Sequence, residues 1–521
     1  MGHFLSLLLF ISTFCQAQET DVRWSQEEKY LKTSPSPLFL GEYDTKLYFL
    51  KATEYSPLSY YYVDVIDKKS LAVSQKITFN STLFPKIHTQ ELIQLFFDGE
   101  HFYVFSGTDK DNVQRIYGSI FDKNGKLELE GKLLKEVNSN QKQYAGYSDI
   151  YTTEGSKGFL IFTDSPTNKI ENEKVEYKVL DAKLEVVAEK QITLPYSEKN
   201  FILQYPFMDP KGNVYLLGTK KDESEPDKTT DVIFYYSLKT DLFNEIQLPA
   251  TSIYNSGVYI NFDERNHIEV TGLYGNKPTF KRYREGIYYT KMEVETGKVL
   301  ESRTTPFDAA SVQGVGKRWV REGTLLSKDY LIKNLLTLDN GDKVYMLELT
   351  RDGVSAYSGD AGFERGHLLM VKVDKEGKLL WGTTIPKVHF LHVKQYKING
   401  LMGGPVNTTV KNYKYTSLLS FIPIKDKSAI HILYTDRMDN LKIENPDELE
   451  KTDLQWRGCV SFLATIDPNG KMQRKVFMQT KLSQYWIMSE NSTQLEDGST
   501  LLLACDQENR LFKIGILTIK H

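Results

Sequence analysis

The sequence predicts an all-β chain of repeated antiparallel units, and three observations lead there. A unit of four apolar runs separated by turns recurs about eight times between roughly residue 36 and the C-terminus. Within it, two turn signatures repeat. The first stands between runs one and two, as Asp98-Gly-Glu-His101, Asp209-Pro-Lys-Gly212, Asp339-Asn-Gly-Asp342 and Asp497-Gly-Ser-Thr500. The second stands between runs three and four, as Asp122-Lys-Asn-Gly-Lys126, Asp374-Lys-Glu-Gly-Lys378 and Asp467-Pro-Asn-Gly-Lys471. Composition agrees: 32 Tyr and 27 Phe, with abundant Val, Ile and Thr, suit half-buried strands. Two hairpin turns per unit at a period of roughly 45–80 residues describe the blades of a β-propeller.

Taken in order, the first blade spans 36–80, the second 90–135, the third 144–195, the fourth 200–249 and the fifth 255–305. The sixth follows at 331–388, the seventh at 414–480 and the eighth from 484 to the end. The last unit has only three runs: Tyr485–Ser489, Leu501–Cys505 and Leu511–Ile519. Val22–Leu31, ahead of the first blade, is the natural donor of its missing outer strand, which would pair the exposed edges at the two chain ends. The expected fold is therefore an eight-bladed propeller closed by an N-terminal strand, with seven blades as the alternative because the first unit is weakly patterned. Two segments break the rhythm, 306–330 and 388–413. Pro306–Tyr330 has Ala, Val and Leu at spacing compatible with a short helix, interrupted by Gly314, Gly316 and Gly323. Both are expected to cap the blade faces or to carry function.

Phe4–Phe14 is an 11-residue apolar stretch, too short to span a bilayer, and Cys15-Gln-Ala17 places small residues where signal peptidase cuts. Residues 1–17 read as a signal peptide and 18–521 as one propeller domain, exported to the periplasm, outer surface or medium. The n-region is unusual in having no Lys or Arg. A net charge of −3 provides no global attraction to nucleic acid or anionic lipid, and no other stretch is apolar enough to span a membrane. Once residues 1–17 are removed, two cysteines remain, Cys459 and Cys505, read as buried thiols or as a bridge between neighbouring blades.

The motifs are weak. His389 and His392 lack a nearby carboxylate ligand, so they read as ordinary histidines rather than a metal site. Asp109-Lys-Asp111 and Asp436-Arg-Met-Asp439 lack the glycine and distal Glu of a calcium loop. Basic residues interleave with aromatics in Phe280–Arg284 and in Lys317-Arg318-Trp319 with Arg321, a pattern suited to a polyanionic glycan or to a solvated loop. Asn80, Asn407 and Asn491 head glycosylation sequons that matter only in a eukaryotic secretory route. No nucleophile elbow, Walker loop or dinucleotide fingerprint is present, and no cofactor or metal is expected.

Tyr330–Asp342, His367–Trp381 with Ile385-Pro-Lys387, Ser417–Phe421 and His431–Asn440, behind a leader ending Cys15-Gln-Ala-Gln18, resemble exported propeller proteins of Bacteroidota. The resemblance implies the fold and export, and no catalytic residue. Asp374–Trp381 is also similar to the docking motif of quinoprotein propellers, though complete only once, so no quinone cofactor is implied.

The expected function is a binding or scaffolding propeller of the cell envelope, monomeric, with a protein or glycan partner and no nucleic acid. A glycan-active hydrolase or lyase using carboxylates at the mouth of the ring is the alternative. The candidate ligand-binding residues are Asp109, Asp164, Asp352, Asp436 and Asp506, each closing the second run of its unit. That run ends on the face where propeller ligands dock, so the five would form a negative mouth. The simpler reading has each Asp opening a turn by bonding its own backbone.

Overall fold

A computed structural model describes residues 20–519 apart from 30–36, 53–60, 79–90, 111–112, 139–146, 153–157, 166–169, 198, 210, 222–228, 249–255, 264, 266, 276–282, 294, 353–361, 393–420, 427–428, 450–451, 454–458, 478–484, 488–491 and 507–510. The leader at 1–17 and most of the second insertion, 393–413, lie outside the described residues. Among those described, the fold is all-β and propeller-like, and its only helical pieces are short 3-10 turns.

Strands form where the apolar runs predict them. The first sheet is Leu38–Tyr43, Lys46–Ala52, Tyr61–Asp67 and Val73–Thr78, hydrogen-bonded in that order. The second runs from Glu91–Phe97 to Leu127–Asn138, the third from Tyr147–Tyr151 to Val186–Ser197, and the fourth from Phe201–Met208 to Leu242–Gln247. The fifth is Ser256–Phe262, Ile268–Tyr274, Gly286–Met292 and Val299–Pro306. The sixth is Tyr330–Thr337, Lys343–Asp352, Gly362–Val373 and Leu379–Ile385, and the seventh is Phe421–Lys425, Ile430–Arg437, Cys459–Ile466 and Met472–Val476. In the eighth, Trp486–Ile487, Thr500–Asp506 and Leu511–Ile519 are joined by Thr20–Trp24 as outer strand. In every sheet the second strand ends, and the third begins, at the end we call upper.

The repeated turns show why Asp heads them. Asp122 accepts from the backbone N–H of Asn124 and Lys126 at 2.9 and 2.8 Å, and Asp467 from Asn469 and Lys471 at 2.9 Å each. One carboxylate thereby satisfies two donors that the hairpin leaves unpaired. The third-to-fourth turn also needs a left-handed residue, and Gly125, Gly297, Gly377 and Gly470 supply it with φ of 86°, 66°, 93° and 84°. Leu71, Leu184 and Asp241 hold the same conformation without being glycine. Leu71 and Leu184 are buried, and that burial offsets a strain of about 1–2 kcal/mol.

Those glycines are also where one sheet docks on the next. Ile77 of the first sheet lies over Gly125, Ile246 of the fourth over Gly297, and Arg303 of the fifth over Gly377. Trp381 of the sixth lies over Gly470 and donates Nε1–H to Pro468 O at 2.9 Å. Eight apolar clusters each join two sheets consecutive in sequence or, in one case, the last and the first. That last cluster sets Leu47 and Phe49 against Leu501, Leu503 and Ile514. The N-terminal segment touches both of these sheets. Arg23 donates to Lys68 O and Lys69 O at 2.9 and 2.8 Å, and Glu28 pairs with Lys51 at 2.8 Å.

Two expectations are corrected, and one alternative is settled. The outer strand begins at Thr20 rather than Val22 and is interrupted after Trp24, where Ser25 bonds Ile514 through both its backbone and its hydroxyl before Glu28–Lys29 resumes pairing. Pro306–Tyr330 forms no α-helix; its glycines and close packing leave a 3-10 turn, Lys317–Trp319, and a hairpin of Val320–Arg321 with Leu325–Ser327. Cys505 keeps a buried thiol outside any disulfide, its pKa pushed up to about 12 by burial and then by Asp506, so the bridge to Cys459 is not formed.

A Cβ at Gly470 would sit 2.7 Å from the Trp381 ring, whereas at Gly323, φ 76°, it meets nothing within 4 Å. Gly470→Ala is therefore expected to lose clearly more than the strain of about 1–2 kcal/mol that Gly323→Ala loses. Denaturant midpoints compare the two, and equal losses would exclude the docking role.

Candidate functional site

The described elaborations of the fifth to seventh sheets gather at their upper end. Tyr283–Arg284, from the loop before the third strand of the fifth sheet, pairs with Leu325–Ser327, which pairs with Val320–Arg321. The two basic and aromatic clusters of the sequence thus meet in one small sheet, with the Arg321 guanidinium 5.9 Å from the Tyr283 ring. Phe280, Lys281 and Arg282 lie outside the described residues. Arg284 is buried, and burial pulls its pKa down to about 10.

Close approaches seat the insertion on the sixth sheet. A Cβ on Gly382 would meet Ser311 O at 2.0 Å, and one on Gly316 would meet Asp447 Oδ1 at 2.4 Å. Asp447, on the 3-10 turn Pro446–Glu448 of the seventh sheet, accepts from Lys317 N at 2.7 Å and pairs with Arg318 at 3.3 Å. One carboxylate thus ties the insertion to the seventh sheet. His389–His392 pairs with Gly362–Arg365 and, in parallel, with Thr452–Asp453. The side chains of both histidines are outside the described residues, among which no group of three or more His, Cys, Asp or Glu is arranged to hold a metal.

A polar layer lies beneath. Lys387 and Glu348, 1% and 2% exposed, are 2.5 Å apart. Arg474 donates to Pro386 O at 3.3 Å and Ile443 O at 2.7 Å, closing over the same region. Arg351 pairs with Glu364 at 3.2 Å and Asp329 at 3.5 Å, and its guanidinium lies 5.4 Å from the Trp319 ring. Sequence reasoning missed Glu348, Lys387 and His367. Glu348 and Lys387 stand 39 residues apart, and only the fold brings them together.

All five predicted aspartates lie at the upper ends of their sheets. Their backbones pair within the ladder: Asp109 with Gln114, Asp164 with Val175, Asp352 with Phe363, Asp436 with Val460 and Asp506 with Leu511. The side chains of Asp109, Asp164 and Asp352 are outside the described residues. Asp436 and Asp506 are each 1% exposed. Asp436 accepts from Arg437 N at 2.7 Å and Asn440 Nδ2 at 3.0 Å, and burial raises its pKa to about 7 against those bonds and the nearby Lys387 and Arg474. Asp439, the second residue of the calcium-like pattern, instead pairs with Arg437 at 2.9 Å.

No protein-family model and no curated protein matches this chain. Among solved structures it aligns with the Pyrococcus horikoshii acylaminoacyl peptidase at TM-score 0.32 and 10% identity, over 78% of this chain and 57% of that one. It aligns with prolyl oligopeptidase B from Galerina marginata at 0.38 and 11%, over 94% and 55%, and with the polysaccharide lyase Uly1 at 0.37 and 8%, over 95% and 100%. The chain thus spans little more than half the length of these peptidases. At such scores the alignments assign it no activity.

The raised pKa of Asp436 has a definite consequence for stability. Between the unfolded value near 4 and the folded value of about 7, the folded state holds the extra proton, so this group's contribution to stability falls as pH rises through that window and is flat above it. Asp436→Asn should remove that decline, worth a few kcal/mol, leaving the variant less pH-dependent than the parent between pH 4 and 7. Urea unfolding at several pH values measures it, and parallel profiles would refute the assignment.

Proposed function

We propose that this chain is an exported, eight-bladed β-propeller of the cell envelope, kin to exported propellers of Bacteroidota, that binds its partner on the upper end of blades five to seven. The observation that carries this reading is the one-sided placement of the elaborations. The small sheet, the turns at Lys317–Trp319 and Pro446–Glu448 and the strand His389–His392 all sit at the upper end of those three sheets. A rigid repeat scaffold with its loops enlarged in one place is how such folds present a binding surface. Lys317, Arg318 and Arg321 line its rim, with the Arg318 and Arg321 side chains 46% and 56% exposed, which suits an acidic protein or polyanionic glycan. The second-strand carboxylates, Asp109, Asp164, Asp352, Asp436 and Asp506, belong to the same end of the ring in this reading.

Eight blades and ring closure are part of the proposal. They are supported by the chain of eight apolar clusters and by the pairing of Thr20–Trp24 with Leu511–Ile519. Export is supported by the apolar leader Phe4–Phe14.

Two experiments test these parts separately. Removing Thr20–Lys29 bares the edge of Leu511–Ile519, so a shortened chain should unfold at lower temperature and associate as its concentration rises. Light scattering and calorimetry follow both, and unchanged behaviour would argue against closure. For binding, a glycan array and a pull-down from envelope extract compare the parent with Lys317→Ala/Arg321→Ala. A loss of at least tenfold in the captured partner is expected. Equal capture by the two proteins would move the binding surface elsewhere.

A further inference from the structure

Three side chains from three elements meet under the insertion. Trp319 comes from the 3-10 turn, Tyr330 from the first strand of the sixth sheet and His367 from its third. The His367 ring centroid is 6.2 Å from that of Trp319 and 6.0 Å from that of Tyr330. Their exposures are 7%, 0% and 1% for Trp319, Tyr330 and His367. Trp319 Nε1, Tyr330 Oη and both His367 ring nitrogens have no hydrogen-bond partner among the described residues. Leaving one buried polar atom unbonded costs about 1–3 kcal/mol. Phe at 330 would preserve that ring without the cost of its hydroxyl, so a packed core alone does not account for these residues.

The chemistry of those atoms defines their complement. An indole N–H only donates, a neutral imidazole donates from one nitrogen, and a phenol hydroxyl can donate. His367 is neutral at ordinary pH, its pKa pushed down to about 3 by burial and then by Arg318 and Lys387. The Arg318 and Arg351 guanidinium carbons lie 5.0 and 5.4 Å from the Trp319 ring centroid. Uncommitted donors call for a group that only accepts, and a negatively charged one can compete with Asp447 and Glu364 for the Arg318 and Arg351 guanidinium groups beside them.

We propose that Trp319, Tyr330 and His367 form a binding site for one oxyanion group, a carboxylate, sulfate or phosphate borne by a larger ligand on the upper end of the fifth to seventh sheets. The site rests on the binding function proposed above and gives it a ligand chemistry. Arg318 is paired with Asp447 at 3.3 Å yet half exposed, so it stands at the entrance, where it can turn from that carboxylate toward an incoming anion.

The test titrates the full-length folded protein with sodium sulfate, sodium phosphate and D-glucuronate in separate arms at constant ionic strength. Calorimetry and the indole N–H resonance of Trp319 are the readouts. At least one arm should bind saturably and shift that resonance, and the ranking of the three distinguishes sulfate, phosphate and carboxylate ligands. Trp319→Phe/Tyr330→Phe removes two donors, keeping the ring at 330 and leaving a smaller one at 319. Without anion it should melt lower by the indole packing lost at 319, and it should bind the preferred anion at least tenfold more weakly. No saturable binding in any arm, an unmoved Trp319 resonance at saturation, or equal affinity of parent and variant would each overturn the site. Should the double variant fail to fold, the resonance in the parent still decides. Free anions are titrated without any partner. Their binding alongside unchanged capture by Lys317→Ala/Arg321→Ala would therefore refute the surface while the site stands, and the reverse pattern would refute the site alone.

Discussion

The docking of each fourth strand on the next sheet's third-to-fourth turn is the contact on which the rest of this structure depends. Neither partner in it is secure alone. A single four-stranded sheet has two apolar faces and buries neither without a neighbour. At Gly125, Gly377 and Gly470 one turn does three jobs: its Asp closes the hairpin, its left-handed glycine reverses the chain, and the absent Cβ leaves room for a side chain from the previous sheet. Trp381 over Gly470 shows all three, since the indole both covers the glycine and bonds Pro468 O. Where glycine is missing, the contact changes in kind. Asp241 receives Lys190 of the preceding sheet at 2.8 Å, replacing an apolar cover by an ion pair. That pair is 40% and 63% exposed, so it contributes little to stability and mainly fixes register.

This dependence explains what could be read from the sequence. Strand positions and turns were legible because the carboxylate-to-backbone bonds are local, spanning two and four residues, and leave a fixed spelling. The missing strand of the last sheet was legible because three runs stood where four were expected. The insertion was not. Its Ala, Val and Leu spacing is compatible with a helix, but Gly382 admits Ser311 O and Gly316 admits Asp447 so closely that the path is set by contacts with strands tens of residues away. Tertiary packing overrode a weak local preference. The candidate site was legible only in outline. The basic and aromatic clusters showed themselves by composition, whereas Glu348 and Lys387 carry no local signature.

The five aspartates illustrate the same limit at finer scale. Their shared position at the ends of second strands was visible, and the ladder places them there. Whether such a residue faces water or the interior depends on what lies above it. For Asp436, that is the turn Met438–Lys442, whose Asn440 side chain bonds the carboxylate from a chain segment folded back over it. A carboxyl enclosed in this way gives up charge rather than hydration, which is why its pKa rises although two donors and two cations act to lower it.

The buried pair Lys387–Glu348 and the three uncommitted donors beside it belong to one layer, and their energetics pull in opposite directions. An ion pair at 1% and 2% exposure gains little net stability over apolar residues of equal volume. What it does is geometric: Glu348 sits on the second strand and Lys387 just past the fourth, so the bond holds the chain leaving the sheet across the upper end. That crossing keeps His389–His392 beside Gly362–Arg365, immediately before His367. With one charge removed, the other would be left buried and unpaired at a cost of several kcal/mol, so the arrangement resists drift in either direction. A rigid frame of this kind is what three unsatisfied donors require if they are to wait for a ligand rather than rearrange to bond one another. The layer is therefore less stable than an apolar one would be, and it fixes where its groups stand.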